Sequence, residues 1–587
     1  MKQFLKYFFA SLLGSLASII VLFFLSFILM VGIVSMIGTE DKVSISSNTI
    51  LELEFDKDVP ERSHFEKFNY SNLVSGSIGK RLGLNDIVEN IKKAKADSNI
   101  SAIYLKLDNF NIGSYATIDP IRNALIDFKE SKKPIIAHGN SISQPAYYLS
   151  SVSDTIYLTP TGDLEFKGLA AQLTFFKKTL DKLEIEAQVI KVGKFKSAVE
   201  PFILEEMSDA NRQQVSSFVN SINDYLLKNI SVSRNIEENK VVDISESMLV
   251  QSPQDAVTYG LVDKLNYEVE VFEELKNIVG KNYLKIISLK KYGKVTSLSQ
   301  PYTANRIAVI YAIGEIDASK GSETQIGKDN IVDAIRKARK SESVKAIVMR
   351  VNSPGGSALI SDLIWKEIEL AKLEKPVVVS YGKYAASGGY YISCGANRIF
   401  SEPTTLTGSI GVFALIPNLQ KFFDNKLGIT FDRVATGKHS DFISGLRPLS
   451  FSEKAILQKQ VNTVYETFVN YVVAGRNMSF EQVDEIGQGR VWSGLQALSL
   501  GLVDEIGGLN DAIKYAGELA NIEEYRLIEY PKVKEPFEEI METLQEDFSA
   551  NIFSDDVESV FEYYDKALRI IKSKEVQARL PFEIELH

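Results

Sequence analysis

Two residues of this sequence could together hydrolyse an amide or an ester, although they lie far apart in the chain. Ser387 lies in the run AASGGY at residues 385–390, where small neighbours would let a carbonyl group approach its hydroxyl. Lys196 lies in the run KFKSAVEP at residues 194–201. A lysine serves as a general base when burial or a neighbouring cation lowers its pKa from about 10.4 towards neutrality. If the two side chains meet, they form a serine nucleophile with a lysine base.

A glycine turn in the same half as the serine could stabilise the negative charge that such an attack creates. Gly355 and Gly356 lie in the run NSPGGS at residues 352–357, directly after an apolar segment. Backbone amides at the start of a helix bind anions, and the amide of Gly388 would add a second donor. The alternative interpretations are a tight strand-to-helix turn for the glycines and a serine packed at a crowded helix start.

The residues alone do not identify the base. The sequence contains four histidines, and His439 is the only one in the second half apart from His587. Because His439 lies between Lys438 and Ser440 in a polar segment, we expect a solvated loop residue there rather than a base. A lysine then remains, but 66 Lys and Arg residues are available and no spacing singles one out.

Composition argues against several other classes of function. The net charge of −10 offers no basic surface for phosphates, so we expect no nucleic-acid partner. The single cysteine, Cys394, cannot form an internal disulfide or a CxxC metal motif. With four histidines and one cysteine, a zinc site is not expected.

The N-terminal segment is the one strongly apolar part of the chain. No residue from 7 to 39 is charged, and residues 19–36 are almost wholly apolar. That length spans a bilayer with some tilt. Lys2 and Lys6 precede it and Glu40 follows, which predicts a cytoplasmic N-terminus and export of the rest. The alternative is a cleaved signal peptide, but the apolar stretch is long for that and lacks a clear Ala-x-Ala site.

The remaining chain is an internal duplication with an offset near 240 residues, and finding a repeat constrains the fold strongly. Three pairs of segments match: DIVENIKKAK at 86–95 with NIVDAIRKAR at 330–339, AYYL at 146–149 with GYYI at 389–392, and YGLVD at 259–263 with LGLVD at 500–504. Each copy alternates helices with apolar strands, which predicts an α/β fold with mainly parallel sheets. The join falls near residues 291–304.

Four motifs in order now identify a family. They are NSPGG at 352–356, AASGGY at 385–390, LTGSIG at 406–411 and GRVWSG at 489–494. Together they resemble the signal peptide peptidase A family of the Clp protease and crotonase superfamily, in its long, two-repeat form. The similarity runs from about residue 45 to about residue 530. The fold class implied is two tandem crotonase-like α/β domains preceded by one transmembrane helix.

The resemblance also assigns roles to individual residues. It implies that Ser387 is the nucleophile and Lys196 the general base. It implies that Gly355, Gly356 and Gly388 form the oxyanion hole, and that the Ser409 hydroxyl orients the lysine. Lys194 is expected to be a solvated neighbour. No metal or cofactor is implied.

The two copies complement each other at these positions. The local offsets align Ser387 with Gln144 and Ser409 with a position near Phe166. They align the Gly355–Gly356 pair with Asn111–Ile112, so the first copy lacks both nucleophile and glycine nest. Conversely, Lys196 aligns with Ser440, so the second copy lacks the base. The alternative is simple decay of one copy, which would leave Lys196 as a surface residue.

We therefore predict a serine endopeptidase of the inner membrane that degrades remnant signal peptides and other apolar peptides after export. Its catalytic domains would lie on the periplasmic side, and the resemblance implies a homotetramer. The domains would be a transmembrane anchor (1–40), a repeat supplying the lysine (45–290), a repeat supplying the serine (305–530) and a partly helical tail (531–587). Helices are expected at 537–544 and 557–571, and these two helices are expected to pack on the domain or on another subunit.

Two other classes of function share some of these features. A crotonase-like acyl-CoA enzyme would share the fold and the glycine nest, but export argues against it because coenzyme A is cytosolic. A non-catalytic membrane scaffold would not need both Ser387 and Lys196. Whether the lysine reaches the serine of its own chain or of a neighbouring subunit stays open at this level.

Overall fold

The computed structural model describes residues 2–38, 44–65, 80–295, 303–532 and 576–580. The helices predicted at 537–544 and 557–571 lie outside these residues. Twenty strands are numbered in chain order: β1 Thr49–Glu54, β2 His64–Phe65, β3 Lys80–Arg81, β4 Ile100–Lys106, β5 Ile135–Ile142, β6 Thr155–Leu164, β7 Glu186–Val192, β8 Lys264–Leu265, β9 Lys285–Ser288, β10 Arg306–Ile313, β11 Val344–Ser353, β12 Gly355–Ser357, β13 Val377–Ala386, β14 Arg398–Ser401, β15 Leu406–Gly408, β16 Val412–Asn418, β17 Val491–Ser493, β18 Glu505–Ile506, β19 Arg526–Tyr530 and β20 Gln577–Arg579.

The α-helices are numbered in the same way, and a π-helix spans Phe422–Leu427. They are α1 Lys2–Gly38, α2 Leu84–Ala96, α3 Tyr115–Lys129, α4 Gln144–Ser150, α5 Lys177–Leu183, α6 Glu200–Ile203, α7 Asp209–Arg234, α8 Glu238–Glu246, α9 Pro253–Thr258, α10 Glu268–Val279, α11 Leu289–Tyr292, α12 Lys328–Lys340, α13 Ala358–Lys372, α14 Gly388–Tyr391, α15 Phe451–Arg476, α16 Phe480–Ile486, α17 Gly494–Ser499 and α18 Leu509–Leu519.

Each copy builds its own sheet, and the two sheets have the same strand order. The first is β8-β6-β5-β4-β1-β9, and its pairings are all parallel. The second places β19, β10, β11, β13, β14 and β18 in the corresponding positions. Its strands also pair in parallel, apart from β15 with β17. The predicted α/β class with mainly parallel sheets is confirmed.

The sequence pattern explains why these elements form. In α12, the apolar residues Ile331, Ile335 and Ala338 recur at helical spacing and are buried on one face, and α2 buries the equivalent residues. The central strand β11 is buried almost throughout, as expected for a parallel strand covered by helices on both sides. Local periodicity therefore suffices to build each half.

Equivalent side-chain bonds support the duplication. The hydroxyl of Tyr147 donates to the Leu261 carbonyl at 2.9 Å, and that of Tyr390 donates to the Leu502 carbonyl at the same distance. The long helices α7 and α15 also begin and end with the same types of residue. A serine side chain caps the first turn of each, and each stops at an asparagine in the left-handed conformation. The copies thus preserve buried contacts as well as sequence motifs.

A third sheet joins the two copies. Its order is β12-β20-β16-β7, so the first copy contributes β7 and the second contributes β12 and β16. Strand β7 pairs antiparallel with β16 along its whole length, from Val192 with Val412 to Glu186 with Asn418. The loop that follows β7 is thereby carried onto the second copy.

The helix α1 contains the only segment, within the part of the chain that the structure describes, that is long and apolar enough to cross a membrane. That segment is Lys6–Leu25, with a mean hydropathy of 2.5. None of it is buried against the rest of the protein.

Candidate active site

Ser387 lies at a sharp turn between a strand and a short helix. Strand β13 ends at Ala386 and α14 begins at Gly388. The backbone of Ser387 has φ 56° and ψ −112°, a conformation that non-glycine residues rarely adopt. Its amide donates to the Gly408 carbonyl at 2.8 Å, which holds the strained turn in place. The predicted turn is observed, and it aims the Ser387 hydroxyl inward.

Lys196 reaches this hydroxyl from the other copy. Its Nζ lies 2.8 Å from Ser387 Oγ, although 191 positions separate the two residues. Both side chains are fully buried, at 0% exposure. Lys196 Nζ also lies 3.0 Å from Ser409 Oγ and 3.4 Å from the Ser409 carbonyl oxygen. One chain therefore brings together the three side chains that the resemblance singled out.

The surroundings of Lys196 favour its neutral form. The hydrogen bonds of its amine are to hydroxyl and carbonyl oxygens, none of which carries a full charge. Burial lowers the pKa of Lys196 well below its ordinary value of 10.5, because desolvation penalises the ammonium form. A neutral amine next to a hydroxyl can accept its proton, which is the chemistry that a general base must supply.

The loop that carries Lys196 is held by two residues of other elements. Gly489 packs directly on it, since a Cβ at that position would lie 2.6 Å from the Cα of Lys196. Gln214 of α7 donates from Nε2 to the Phe195 carbonyl at 3.0 Å and to Ser197 Oγ at 2.7 Å. Neither residue was a candidate from the sequence. Only the Gly489 position lay within a recognised motif.

The glycines of the predicted oxyanion hole converge beside Ser387. Gly355 and Gly356 have φ of 101° and 153°, so the backbone turn requires glycine at Gly355 in particular. A Cβ on Gly355 would lie 2.8 Å from the Gly388 amide nitrogen. Gly355 and Gly356 thus lie next to the amide that follows Ser387, and backbone atoms leave no room for a side chain on Gly355.

The first copy has filled the equivalent space. Gln144 is the first residue of α4, and its side-chain amide forms hydrogen bonds to the backbone of a neighbouring loop. Its Oε1 accepts from the amides of Lys167 and Gly168, and its Nε2 donates to the Gly168 carbonyl at 3.1 Å. Phe166, near the position of Ser409, is buried against Tyr147. The first copy therefore contains a packed amide where the second holds its hydroxyl.

Other candidate residues lie away from the pair. His439 Nδ1 contacts Glu453 Oε1 at 3.3 Å in an exposed loop, as expected for a residue that is not the base. Ser440, which aligns with Lys196, bonds locally to Gly437 in the same loop. Lys194 is exposed, as predicted. Among the described residues, no group of three or more His, Cys, Asp or Glu side chains could hold a metal ion.

A buried ion pair connects the copies behind the glycine turn. Arg350 Nε donates to Glu61 Oε2 at 2.8 Å, and Asn352 Nδ2 donates to Glu61 Oε1 at 3.0 Å. Arg350 also donates to Ser380 Oγ at 2.7 Å. Arg350 and Asn352 lie on β11 and Ser380 lies on β13, the strands that lead into the two turns, so the pair supports both turns. The sequence offered no signal for it.

The final described segment lies in the site itself. Strand β20 pairs antiparallel with β12, placing Arg579 opposite Gly355 and Ala578 opposite Gly356. The Arg579 carbonyl accepts a hydrogen bond from Lys196 Nζ at 2.5 Å. The helices that were expected to pack on the domain lie outside the described residues, whereas residues 576–580 lie in the candidate cleft beside Lys196.

Comparisons of the sequence with known proteins all point to one family of peptidases. The sequence model of peptidase family S49 matches residues 127–282 and 369–523, one range in each copy. Protease 4 of Salmonella typhi is 37% identical over 473 residues, which cover 78% of this chain and 76% of that protein. Protease 4 of Haemophilus influenzae is 34% identical over 500 residues, covering 83% and 78% respectively. The chloroplastic serine protease SPPA of Arabidopsis thaliana is 32% identical over 464 residues, covering 77% and 68%.

These relatives extend across both copies, so the similarity concerns the duplicated chain and not one half of it. The predicted resemblance, the fold class and the class of enzyme are confirmed. The chain belongs to peptidase family S49 and is a serine peptidase.

Proposed function

We propose that this chain is a membrane-anchored endopeptidase with a Ser387–Lys196 catalytic dyad, and that it degrades remnant signal peptides and other apolar peptides after export. The observation that carries the proposal is the 2.8 Å contact between Lys196 Nζ and Ser387 Oγ. The lowered pKa of the buried amine supports the role of a base. The glycines around the hydroxyl support an oxyanion hole.

The mechanism follows from these positions. The neutral amine of Lys196 takes the hydroxyl proton as Ser387 Oγ attacks a peptide carbonyl. The amides near Gly356 and Gly388 stabilise the oxyanion, a contribution worth on the order of a hundredfold or more in rate per donor. The lysine ammonium then protonates the leaving nitrogen. Water hydrolyses the acyl-enzyme with Lys196 again acting as base.

Ser409 has a positioning role in this scheme. Its hydroxyl lies 3.0 Å from Lys196 Nζ, and its backbone is held in the left-handed region at φ 50° by the bond from its amide to the Arg490 carbonyl. A fixed hydroxyl at this distance orients the amine lone pair towards Ser387 without adding a charge. It would also accept a hydrogen bond from the ammonium after proton transfer.

The cellular setting of the proposal rests on the N-terminal helix. Segment Lys6–Leu25 would anchor the chain in the inner membrane, with a cytoplasmic N-terminus and periplasmic catalytic domains. That position suits apolar peptides left in the bilayer. We further propose that 45–290 and 305–530 are the two domains and that the chain forms a homotetramer, which the mass in detergent would report.

The dyad is tested by three variants of the full-length, detergent-solubilised chain. We expect Ser387→Ala and Lys196→Ala to lower kcat on a quenched apolar peptide by about ten-thousand-fold. Lys194→Ala is the matched control, because it removes an exposed lysine from the same loop and should keep full activity. A fluorophosphonate probe should label Ser387 in the parent chain and in the control. If Lys196→Ala retains cleavage, or if no label attaches to Ser387, the dyad assignment fails.

A further inference from the structure

A cavity lies between the two copies, apart from the dyad. Its volume is about 350 Å³, and helices α2 and α3 of the first copy form one wall. The turn between β18 and α18 of the second copy forms the other wall. Both walls supply apolar side chains, among them Leu84, Val88 and Leu509. Neither Ser387 nor Lys196 lines this cavity, so a molecule that binds there need not enter the catalytic cleft.

The carboxyl group of Glu402 borders this cavity with an unpaired oxygen. Glu402 follows β14 in the second copy, lines the cavity and is 2% exposed. Among the described residues, no donor contacts its Oε1 atom. Buried polar atoms in folded proteins are nearly always hydrogen-bonded, because an unpaired one has lost its bonds to water without replacement. The Glu402 carboxyl is therefore placed to accept a hydrogen bond from a bound molecule.

A second carboxyl group borders the same space. A Cβ on Gly508 would lie 2.9 Å from Glu402 Oε1 and 3.9 Å from Asp511 Oδ2. It would also lie 4.0 Å from Cγ of Pro120, a residue of the first copy. The Gly508 amide donates to Asp511 Oδ2 at 2.8 Å, which fixes that carboxyl group in place. The two carboxyl groups therefore lie on the same side of Gly508, next to space that a side chain would fill.

The charges in the cavity walls do not balance. The other charged side chains of the walls belong to three ion pairs, which are Arg350 with Glu61 at 2.8 Å, Lys95 with Asp127 at 2.7 Å and Lys92 with Glu89 at 3.2 Å. In the part of the chain that the structure describes, neither Glu402 nor Asp511 forms a salt bridge. The same residues contain no group of three or more His, Cys, Asp or Glu side chains that could hold a metal ion. The cavity therefore suits an organic cation better than a metal ion.

We propose that this cavity binds a small organic cation that carries a primary ammonium group on a short apolar chain. An ammonium group has three N–H donors, which suits two carboxyl groups on one side of Gly508. Bonds from a charged donor to Glu402 and Asp511 would be the strongest contacts. The apolar chain would pack against Leu84 and Leu509. This site is separate from peptide hydrolysis and does not use the dyad.

Binding should release a proton from Glu402. Burial raises the pKa of this carboxyl well above its ordinary value of 4.5. Neighbouring charges act in both directions, since Arg350 lowers this pKa and three acidic side chains raise it, which are Asp119, Asp511 and Glu61. The carboxyl of the empty cavity therefore keeps its proton to higher pH, whereas a bound ammonium favours the carboxylate.

The affinity for the ammonium should consequently rise with pH. The rise ends where the amine itself loses its proton, at about pH 10.4 for an amine that resembles the lysine side chain. Burial also raises the pKa of Asp119 to about 6, so the profile is measured above that pH to isolate Glu402.

Calorimetry with n-butylammonium chloride tests the site in the full-length, detergent-solubilised chain. We expect saturable binding at one site per chain. The heat of binding should differ between two buffers of unequal ionisation enthalpy, because a proton is released. The neutral probe n-butanol should bind about tenfold more weakly or worse, since hydrogen bonds between charged groups are about twice as strong as neutral ones. Equal affinities for the two probes would overturn the proposal.

Two variants locate the binding. Glu402→Gln keeps the size of the side chain but removes its charge, so we expect about tenfold weaker binding and no proton release. Gly508→Ala fills the space beside the carboxyl groups and should abolish binding. The φ of −93° at Gly508 lets alanine replace it without backbone strain. Glu505→Gln is the matched control, because Glu505 pairs with Arg398 outside the cavity, and it should bind the probe as the parent does.

The remaining outcomes are also decisive. Parent-like affinity in Glu402→Gln or Gly508→Ala would show that the probe binds elsewhere. An equal loss in Glu505→Gln would reduce the binding to a general attraction of cations to an acidic chain. Displacement of the probe by CaCl₂ at constant ionic strength would identify a metal site and contradict the proposed class of ligand.

Amine binding and peptide cleavage can be judged separately. Ser387→Ala should bind n-butylammonium with the affinity of the parent, because the dyad takes no part. If the parent chain cleaves an added peptide but binds no amine, the proposal of an ammonium site is wrong and the proposed function stands. If it binds the amine in the predicted pattern but cleaves no peptide, the ammonium site stands and the proposed function fails.

Discussion

The side-chain oxygen of Gln214 accepts a hydrogen bond at 3.1 Å from the amide of Val491, a residue of the other copy. The side-chain nitrogen of Gln214 holds the carbonyl of Phe195, the residue before the proposed base. A single buried amide thus links the lysine loop to β17, which pairs with the strand next to that of the nucleophile. Through this side chain, the position of the lysine loop depends on how the two copies are placed relative to each other.

Gln214→Met should loosen the lysine loop while keeping the volume of the side chain. We expect kcat to fall by roughly ten- to a hundredfold with KM little changed, and the free energy of unfolding to fall by about 1–3 kcal/mol because buried partners lose their bonds. A positioning role also predicts that the rate profile shifts to higher pH, because a less buried Lys196 has a less depressed pKa. A variant that is only less stable would keep the original pH profile.

Gly489→Ala should displace the base directly. The new Cβ would lie 2.6 Å from the Lys196 backbone, and the residue has φ 81°. Gly501→Ala is the matched control, because its φ is 75° but its new Cβ would meet only the mobile end of Met478. Both should lose about 1–2 kcal/mol through the backbone. Only Gly489→Ala should also lose activity, by about a hundredfold or more. Equal kcat values for the two variants would contradict the contact.

Activity should rise with pH through the lowered pKa of Lys196. The neutral amine is the reactive form, so the rising limb of kcat/KM should lie well below the ordinary lysine value of 10.5. Lys196→Arg should be inactive over the whole range, since a guanidinium stays protonated. A rising limb near 10.5 in the parent chain would contradict a buried base.

The same lysine should make stability depend on pH. Between the lowered pKa of the folded state and the ordinary value, the unfolded chain binds one more proton than the folded chain at this site. Stability therefore rises with pH across that window and is fully regained above the ordinary value. We expect Lys196→Met to remove this contribution and to be more stable than the parent at neutral pH, as denaturant titrations at several pH values would measure.

The buried pair of Arg350 and Glu61 should contribute more to the free energy of unfolding than a partly exposed pair between the same copies. Glu61→Gln leaves a buried guanidinium without its charge partner and should cost about 3–5 kcal/mol. The control is Glu529→Gln, which breaks the 2.9 Å contact to Arg62 on a carboxylate that is 39% exposed. Its loss should be at most about 1 kcal/mol. Similar losses in denaturant unfolding would show that burial does not govern the effect.

Much of the fold was predictable from local pattern. The helices α2 and α12 and the strands that follow them come from residues within a few turns of one another. The order of the two sheets repeats because the sequence repeats. The turn at Ser387 was also visible, since small residues flank the hydroxyl and two glycines follow it. These helices, strands and turns are formed by residues that are close together in the chain, so they can be predicted from the sequence alone.

The residues that support the base were not predictable in this way. Gln214 resembles any polar helix residue, and Glu61 any surface carboxylate, until the copies are placed together. Residues 576–580 carry no motif, and their position depends on an open edge between β12 and β16. Apart from the bonds of Gln214 to Phe195 and Ser197, these contacts join segments more than two hundred residues apart, where spacing carries no information.

By itself, the sequence determined the duplication, the α/β class, the position of the strained serine turn and, through its motifs, the family. These follow from short-range spacing and from the comparison of one half with the other. Only the tertiary structure decided that Lys196 meets Ser387 within one chain, that burial lowers the pKa of Lys196, and which segment lies in the cleft. The physical reason is that desolvation and hydrogen bonding depend on what surrounds a group in space, and the pairing of β7 with β16 sets those surroundings for Lys196.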